Sequence, residues 1–277
     1  MQILDGKKLA EKIFDQLKTE VAALGDIRLA VVKIGSHSAT DQFVRIKKKR
    51  AEEIGIKVKI YDDFAEDIST NALRERMKEI VHAEENTGVI VQSPLPKHID
   101  EQAIFNTVIP EKDVDMLSAR AVGDFAVGKS KIKPPVVGAI AALAREYGIN
   151  LTDKYVVVVG AGALVGRPVV SWLMQEKVTF SQVVKTTAHP ERFFKEADVI
   201  ISGVGKPSII RGDMVKEDVI VFDAGTSTAA GVTLGDVDFN TVAPKASHIT
   251  TVPGGIGPLT VAVLLRNLVT FAKLQKQ

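Results

Sequence analysis

Cysteine is absent from the 277-residue chain. The chain therefore has no disulfide framework, no thiolate metal site and no cysteine nucleophile, which suits a reducing compartment. An excess of charge of one sign is also nearly absent, because 36 Lys and Arg against 34 Asp and Glu leave a net charge of +2. So small an excess does not favour nucleic acid or an anionic membrane as a partner, and a small substrate is expected.

Long hydrophobic runs are missing as well. The N-terminal stretch "MQILDGKKLAEKIF" carries charges throughout and lacks the apolar core of a signal peptide. The apolar stretch "LTVAVLLRNLVTFA" is interrupted by Arg266 and is expected to be too short to span a bilayer. These features predict a soluble cytoplasmic protein with no membrane partner.

Two familiar kinds of catalytic motif are also missing. The five histidines show no H-x-x-x-H or similar ligand spacing, so no metal site is predicted. No G-x-S-x-G motif is present, and a hydrolase with that type of nucleophile has no support.

Helical and strand-like patterns alternate along the chain, which is long enough for two domains. In the first half, helices are predicted at about 6–24, 40–54 and 70–83, between the β-rich runs "IRLAVVKIG", "IKVKIYD" and "TGVIVQSPLP". In the second half, strands are predicted in "KYVVVVG", "SQVVK", "ADVIISGVG" and "DVIVFDAG". Such alternation implies right-handed crossovers and parallel sheets, and "VGKSKIKPPVVG" has the composition of a domain boundary.

The segment "GAGALVG" follows a strand and opens a helix. In that context glycines let a pyrophosphate approach the amides at the helix N-terminus, although the spacing G-x-G-x-x-x-G is one residue longer than the common fingerprint. The alternative is a tight strand-to-helix turn without a ligand. If a dinucleotide binds, the segments "SGVGKP" and "DAGTS" at the carboxyl edge of the sheet are expected to complete the site.

Lys185 lies where the second strand of a dinucleotide fold ends, a place at which NAD-specific enzymes tend to carry an acidic residue. A cation there favours the 2′-phosphate of NADP. The alternative is a solvated lysine in a loop.

Four polar residues are candidates for catalysis. Lys47 falls on the predicted apolar stripe of a helix, together with Phe43, Val44, Ala51 and Ile54. A partly buried lysine there can transfer protons, or it can extend its ammonium to the surface. The other three candidates are Gln92, at the end of a strand in "VQSPLP", and the two carboxylates of "PEKDVDML", Asp113 and Asp115. For these two acids the alternative is that they are solvated in a loop.

The loop "TVPGGIGPLT", residues 251–260, contains three glycines and two prolines. Such a composition is costly to order and favours a loop whose backbone approaches a ligand.

Taken in order, these segments resemble one family, the bifunctional methylenetetrahydrofolate dehydrogenase/methenyltetrahydrofolate cyclohydrolases. The resemblance runs through "VKIGSHSATDQFVRIKKKRAEEIGI", "GVIVQSPLPKHID", "IPEKDVD", "VVVVGAGALVGRP", "ADVIISGVGKP", "GDVDF" and "TVPGGIGPLTVAVLL". It covers most of the chain. The PLP, KDVD and PGG-x-GP elements together are more specific than any one of them.

The resemblance implies an α/β protein with an N-terminal three-layer domain, a Rossmann-like dinucleotide-binding domain and an active site in the cleft between them. The implied domains are 1–121 joined by the C-terminal helix 258–277, and 122–257. The implied reaction is oxidation of 5,10-methylenetetrahydrofolate with NADP, then hydrolysis to 10-formyltetrahydrofolate. A homodimer and a place in one-carbon metabolism and purine biosynthesis are implied as well.

The resemblance also implies roles for individual residues. Lys47 is implied as the central catalytic residue, with Gln92 beside it and Asp115 holding the pterin. The implied folate-binding residues are Phe43, Pro94, Leu95, Gly255 and Pro258. The implied cofactor-binding residues are Gly160, Ala161, Gly162, Val165, Gly166, Lys185 and Thr226.

Several positions depart from the family pattern. The family usually has Tyr at Phe43, Gly at Met116, Ser at Gly162, Asn at Ala121, often a basic residue at Ala161, and "PCTP" where this chain has "KPPV". The departures leave two alternatives: a dehydrogenase with weak or absent cyclohydrolase activity, and a non-catalytic folate- or dinucleotide-binding relative. A dehydrogenase of the shikimate or amino-acid type is a third, on architecture alone.

Overall fold

Helices and parallel strands alternate in the protein, for which a computed structural model describes residues 1–35, 38–229 and 232–276. The helices are α1 (Gly6–Leu24), α2 (Ser38–Glu53), α3 (Thr70–His82), α4 (Glu101–Phe105), α5 (Ala119–Ala126), α6 (Pro135–Glu146), α7 (Gly166–Gln175), α8 (Glu191–Glu196), α9 (Phe239–Val242) and α10 (Ile256–Leu274). The strands are β1 (Gln2–Leu4), β2 (Arg28–Val32), β3 (Lys57–Tyr61), β4 (Gly88–Val91), β5 (Val156–Val159), β6 (Phe180–Val183), β7 (Val199–Ser202), β8 (Val219–Asp223), β9 (Ser227–Ala229), β10 (Val232–Leu234) and β11 (Ala246–Thr250).

Local side-chain caps explain where three helices of the first half begin. Ser69 accepts a hydrogen bond from the third residue of α3, and Asp100 does the same for α4 and Ser118 for α5. Each cap satisfies one of the amide donors that a helix N-terminus leaves without a partner.

The chain forms two compact units. The six-stranded unit comprises Met1–Glu11 and Pro135–Val263, and the three-stranded unit comprises Lys12–Pro134 and Leu264–Gln277. Both units are α/β with parallel sheets, as predicted.

The bounds of these units differ from the predicted bounds 1–121, 122–257 and 258–277. The first residues join the six-stranded unit because β1 pairs in parallel with β11, Gln2 opposite His248. Residues up to 134 join the three-stranded unit, where the Asn267 amide donates to the carbonyl of Lys133 at 2.9 Å. The predicted cleft between the domains stays a prediction.

The three-stranded sheet has the order β3-β2-β4. All residues of β4 are buried, which explains its unbroken apolar sequence, whereas β3 is an edge strand with exposed and half-buried side chains. Asp113 forms a parallel bridge to Val89, so the segment that leads to Asp115 runs beside β4.

The six-stranded sheet has the order β1-β11-β8-β7-β5-β6 and is parallel throughout. The chain passes from β5 to β6 on one side and then returns to β7 on the other side of β5. This reversal is the switch point beside which doubly wound sheets bind ligands. The Val run of β5 is buried along its whole length, as predicted.

The last helix, α10, is longer than the apolar stretch seen in the sequence. By length and composition alone its 19 residues are sufficient to cross a membrane, so the expectation that the segment is too short is wrong. Within the protein, 61% of its apolar window is buried, and Leu259, Leu265 and Leu268 are fully buried. Packing inside the protein accounts for the apolar composition of this helix.

Candidate active site

Lys47 meets Gln92 and Asp115 in the three-stranded unit. Its ammonium nitrogen donates to Gln92 Oε1 at 3.2 Å and lies 3.6 Å from Asp115 Oδ2. The side chains of Lys47 and Asp115 are 14% and 17% exposed, so the pair is shielded without being sealed from solvent. The structure thus brings together the three residues predicted to be catalytic.

The face of α2 explains how Lys47 reaches this position. Val44 and Ala51 are buried, as is Ile54 just beyond the helix, and the half-buried Lys47 lies among them in the 3.6-residue pattern. Phe43 does not belong to this buried stripe, because its side chain is 48% exposed. The reason is geometric: neighbouring residues point about 100° apart around a helix, which places Phe43 at the edge of the buried face.

Gln92 is held by two backbone contacts. Its amide nitrogen extends the sheet by donating to Val32 O at 2.9 Å, immediately after β4 ends. Its side-chain nitrogen donates to Ser93 O at 2.9 Å, which leaves the side-chain oxygen to face Lys47. The orientation of the amide group is therefore fixed by the backbone before any ligand binds.

The two carboxylates of "KDVD" have different environments. Asp113 is 4% exposed and accepts backbone hydrogen bonds from Ser118 at 2.8 Å and Leu117 at 3.3 Å. Burial raises the pKa of Asp113 to about 6, the neighbouring Asp115 adds to the rise, and the hydrogen bonds from residues 117 and 118 oppose it. Asp113 therefore orders the segment that presents Asp115 to Lys47.

The turn that contains Pro94 and Leu95 depends on a residue that the sequence did not reveal. Glu101 Oε1 accepts from Ser93 Oγ at 2.6 Å and from the backbone nitrogen of Leu95 at 3.2 Å. Leu95 is buried and Pro94 is exposed. No spacing rule points to Glu101, because it reaches the turn from the first residue of α4.

In the six-stranded unit, the glycine turn follows β5 and α7 begins at Gly166. Gly160 has φ +108°, and a Cβ on Gly166 would lie 2.2 Å from Gly160 O, so the turn itself requires both glycines. Gly162 has open space where a Cβ would stand, and Ala161 is exposed beside it. An open, exposed turn at a helix N-terminus fits the pyrophosphate of a dinucleotide.

The other predicted cofactor residues lie in the same unit. Val165 directly precedes α7, and Thr226 is exposed in the loop after β8. Lys185 is exposed two residues beyond β6, in a turn where Val184 N donates to Thr187 Oγ1 at 2.9 Å. Arg167 donates to the carbonyl of Ala161 at 3.2 Å and so lies over the glycine turn.

The loop at residues 251–255 has a packing reason for its glycines. A Cβ on Gly255 would lie 2.7 Å from Thr251 O, and a Cβ on Gly6 would lie 1.8 Å from Gly255 O. The loop is joined to α1 by a hydrogen bond from Lys7 N to Gly254 O at 2.8 Å, and Pro258 lies in the first turn of α10. These contacts require Gly6 and Gly255 whether or not a ligand approaches the loop.

Comparison with models of protein families identifies the family of this chain. The catalytic domain of tetrahydrofolate dehydrogenase/cyclohydrolase matches residues 4–115, and the NAD(P)-binding domain of the same family matches residues 134–276. The chain belongs to the tetrahydrofolate dehydrogenase/cyclohydrolase family. Both domains of the family are present, which assigns dehydrogenase and cyclohydrolase activities and a nicotinamide dinucleotide cofactor.

Individual relatives are similar over the full length. The bifunctional protein FolD of Nautilia profundicola is 40% identical over 278 residues, 99% of this chain and 98% of that protein. The Campylobacter jejuni FolD crystal structure is 37% identical, with a TM-score of 0.96 and coverage of 99% of both chains. The Trypanosoma brucei FolD structure, solved with NADP and an inhibitor, is 31% identical, with a TM-score of 0.93 and coverage of 99% and 98%. A shikimate-type dehydrogenase is thereby excluded.

Proposed function

We propose that this chain oxidises 5,10-methylenetetrahydrofolate with NADP and hydrolyses the methenyl product to 10-formyltetrahydrofolate, with Lys47 as the proton-transferring residue. The observation that carries the proposal is the position of the Lys47 ammonium between Gln92 Oε1, at 3.2 Å, and Asp115 Oδ2, at 3.6 Å. A cation held between an amide oxygen and a carboxylate is fixed in place for work on a bound substrate.

The oxidation depends mainly on orientation. The glycine turn at Gly160 and Gly166 would hold a nicotinamide dinucleotide, which would supply a hydride acceptor for the methylene carbon of the folate. Asp115 accepts hydrogen bonds from the pterin, and the turn at Pro94 and Leu95 supports the folate. The backbone bonds of Asp113 and the carboxylate of Glu101 stabilise these two elements before the substrate arrives.

The hydrolysis removes two protons from the attacking water, delivers one to a ring nitrogen and releases the other. Water adds to the cationic methenyl carbon and loses one proton, and the resulting hydroxyl loses the second as it becomes the formyl oxygen, while the ring nitrogen gains a proton as its bond to that carbon breaks. Lys47 transfers this proton, and Gln92 orients the lysine through its fixed side-chain oxygen. The reaction therefore balances with water as the only co-reactant and one proton released to solvent.

We propose further that NADP is preferred to NAD because of Lys185. Its side chain is exposed beyond β6, and no ion pair engages it within residues 1–35, 38–229 and 232–276. An ammonium at this position attracts a 2′-phosphate, and such a charge-assisted bond is worth about 1.5–3 kcal/mol, or roughly a ten- to hundredfold preference.

The assay for this proposal follows the formation and decay of methenyltetrahydrofolate by absorbance with each dinucleotide. Lys185→Ala is expected to raise the Michaelis constant for NADP by about tenfold or more and to leave that for NAD nearly unchanged. Lys195→Ala, a second lysine of the same unit on α8, is the matched control and is expected to change neither constant. Equal effects of Lys185→Ala on both cofactors, or a wild-type preference for NAD, would remove Lys185 from the phosphate site.

We also propose that the protein is a cytoplasmic homodimer whose product enters one-carbon metabolism and purine biosynthesis. The absence of cysteine and the resemblance to the family support this. Light scattering after size exclusion checks the assembly: a mass of twice 29.9 kDa is expected, and a monomer mass would contradict the dimer.

A further inference from the structure

Two buried carboxylates of the six-stranded unit have no role in the chemistry described above. Asp223 ends β8 and is 3% exposed, and Asp236 follows β10 and is 1% exposed. A carboxylate this deeply buried is tolerated only when hydrogen-bond donors satisfy it. The groups that donate hydrogen bonds to Asp236 therefore identify the segment of chain that this carboxylate holds in place.

Asp236 accepts three hydrogen bonds from a single stretch of chain. Its donors are Ser202 Oγ at 2.6 Å, Val204 N at 2.6 Å and Lys206 N at 2.8 Å. Ser202 is the last residue of β7, and the two backbone donors belong to the loop at residues 203–206. One carboxylate thus holds the chain at three points, from the end of β7 at Ser202 to the end of the loop at Lys206.

The loop at residues 203–206 packs directly on the glycine turn that follows β5. A Cβ on Gly203 would lie 2.2 Å from Val165 Cγ1, and a Cβ on Gly160 would lie 3.0 Å from Gly203 O. Because β5 and β7 are neighbours at the switch point of the sheet, this contact lies at the carboxyl edge where such sheets bind ligands. A shift of the loop would therefore disturb the glycine turn.

Asp223 connects Asp236 to the next loop. It accepts hydrogen bonds from the backbone nitrogens of Gly225 at 2.9 Å, Asp236 at 3.2 Å and Val237 at 3.0 Å. The residue after Gly225 is Thr226, one of the predicted cofactor contacts. The two aspartates together join the ends of β7 and β8 to the loops that surround the switch point.

We propose that Asp236 is a positioning residue of the dinucleotide site, which acts by holding the loop at residues 203–206 against the glycine turn. This inference rests on the proposed function only in that the glycine turn binds the dinucleotide. Asp236 touches neither substrate nor cofactor, so its removal weakens dinucleotide binding and leaves the folate chemistry of the three-stranded unit intact.

The test compares Asp236→Asn with Asp238→Asn in the full-length protein. Asparagine keeps the shape of the side chain but turns an N–H₂ group toward at least one of the three donors. Asp238 is a matched control, because it precedes α9 and its side chain makes no capping bond among the residues that the structure describes. The measurements are the dissociation constants for NADP and NAD by calorimetry and the hydrolysis rate of supplied methenyltetrahydrofolate.

Asp236→Asn is expected to raise the dissociation constants for both dinucleotides by about tenfold, or about 1.4 kcal/mol, and to leave the hydrolysis rate unchanged. Asp238→Asn is expected to leave all three values unchanged. Two results would overturn the inference: dinucleotide dissociation constants in Asp236→Asn that equal those of wild type, or a hydrolysis rate that falls by as large a factor as the dissociation constants rise. Because the loss is expected for both cofactors, a wild-type preference for NAD would contradict the proposed NADP preference and not the role of Asp236.

Ser202→Ala covers the case in which Asp236→Asn folds poorly. It removes one of the three donors and keeps the carboxylate, so a smaller rise in both dissociation constants is expected, again without loss of hydrolysis. A folded Ser202→Ala protein with wild-type affinity for both dinucleotides would contradict the role of this hydrogen-bond network.

Discussion

At the scale of single residues, Phe43 is the departure with the most direct chemical consequence. It lies one helical turn before Lys47 on α2, and 48% of its side chain is exposed, so a hydroxyl on the ring fits without displacing buried atoms. A phenylalanine ring cannot relay or accept a hydrogen bond in the hydrolytic step.

Phe43→Tyr is therefore expected to raise cyclohydrolase turnover relative to dehydrogenase turnover. The ratio is measured by supplying the methylene and methenyl substrates separately to the same preparation. Phe64→Tyr adds the same hydroxyl elsewhere in the three-stranded unit and is expected to leave the ratio unchanged. An unchanged ratio in a folded Phe43→Tyr protein would show that position 43 is structural.

Asp113 predicts a pH dependence of stability. Its pKa rises from 3.8 to about 6 on folding, chiefly by burial, so the folded protein binds this proton more tightly than the unfolded chain. The stability that it contributes is present in full below pH 3.8 and is lost as the pH rises through about 6. Asp223, next to Asp236, has its pKa raised to about 6 by burial and titrates in the same direction.

Asp113→Asn removes the pH-dependent contribution of Asp113 to stability and leaves that of Asp223. Between about pH 4.5 and about pH 7.5, the free energy of unfolding of the variant is expected to rise by about 2 kcal/mol relative to wild type. Denaturant titrations across this range measure the difference, with Asp67→Asn in an exposed turn as the control. A difference between Asp113→Asn and wild type that does not vary with pH would contradict the raised pKa.

At the scale of elements, the turn after β4 depends on α4. Glu101→Ala removes the acceptor for Ser93 Oγ and Leu95 N and loosens the turn that carries Pro94. Two hydrogen bonds at about 1 kcal/mol each predict a rise of about five- to thirtyfold in the Michaelis constant for the folate. Steady-state kinetics on the methylene substrate measure this constant.

Two further variants separate the role of the hydrogen bonds from that of charge. Glu101→Gln keeps an acceptor oxygen and is expected to retain most of the affinity for folate. Glu111→Ala removes an exposed carboxylate of the same unit and is expected to leave the constant unchanged. A wild-type Michaelis constant in Glu101→Ala would show that the turn does not depend on α4.

Elements with a strong periodic pattern were predictable from sequence. The bounds of α1 agree with the prediction, and the buried runs of β4, β5 and β7 read as strands because both of their faces are covered. The short strand β1 was not predictable, because its three residues become a strand only by pairing with β11. That pairing depends on distant parts of the chain meeting, which no local pattern records.

The candidate site likewise contains residues that were predicted and residues that were not. The resemblance predicted Lys47, Gln92 and Asp115 together, and the structure brings them into contact. Glu101 and Asp236 were missed because their hydrogen bonds run to backbone and hydroxyl groups that have no sequence signature.

At the scale of the whole molecule, the sequence predicted two α/β units and their parallel sheets. The resemblance implied that the C-terminal helix joins the N-terminal domain, and the last 14 residues belong with Lys12–Pro134. The sequence did not predict that the first 11 residues belong with Pro135–Val263, or that the second boundary falls after Val263, inside α10. Long helices explain the difference, because α1 and α10 each begin in the six-stranded unit and end in the three-stranded one. A boundary inside a helix leaves no change of composition for a sequence to show.

The role of Lys47 is tested most directly by hydrolysis of supplied methenyltetrahydrofolate, which requires no dinucleotide. Lys47→Met keeps most of the side-chain volume, so the fold is expected to persist, and the enzymatic rate is expected to fall by roughly a hundredfold or more. Lys48→Met is the matched control, since the side chain of Lys48 is 44% exposed and its ammonium lies 3.8 Å from Glu52 Oε1. This variant is expected to hydrolyse the substrate at the wild-type rate. A folded Lys47→Met protein with a near wild-type rate would contradict the assignment of proton transfer to Lys47.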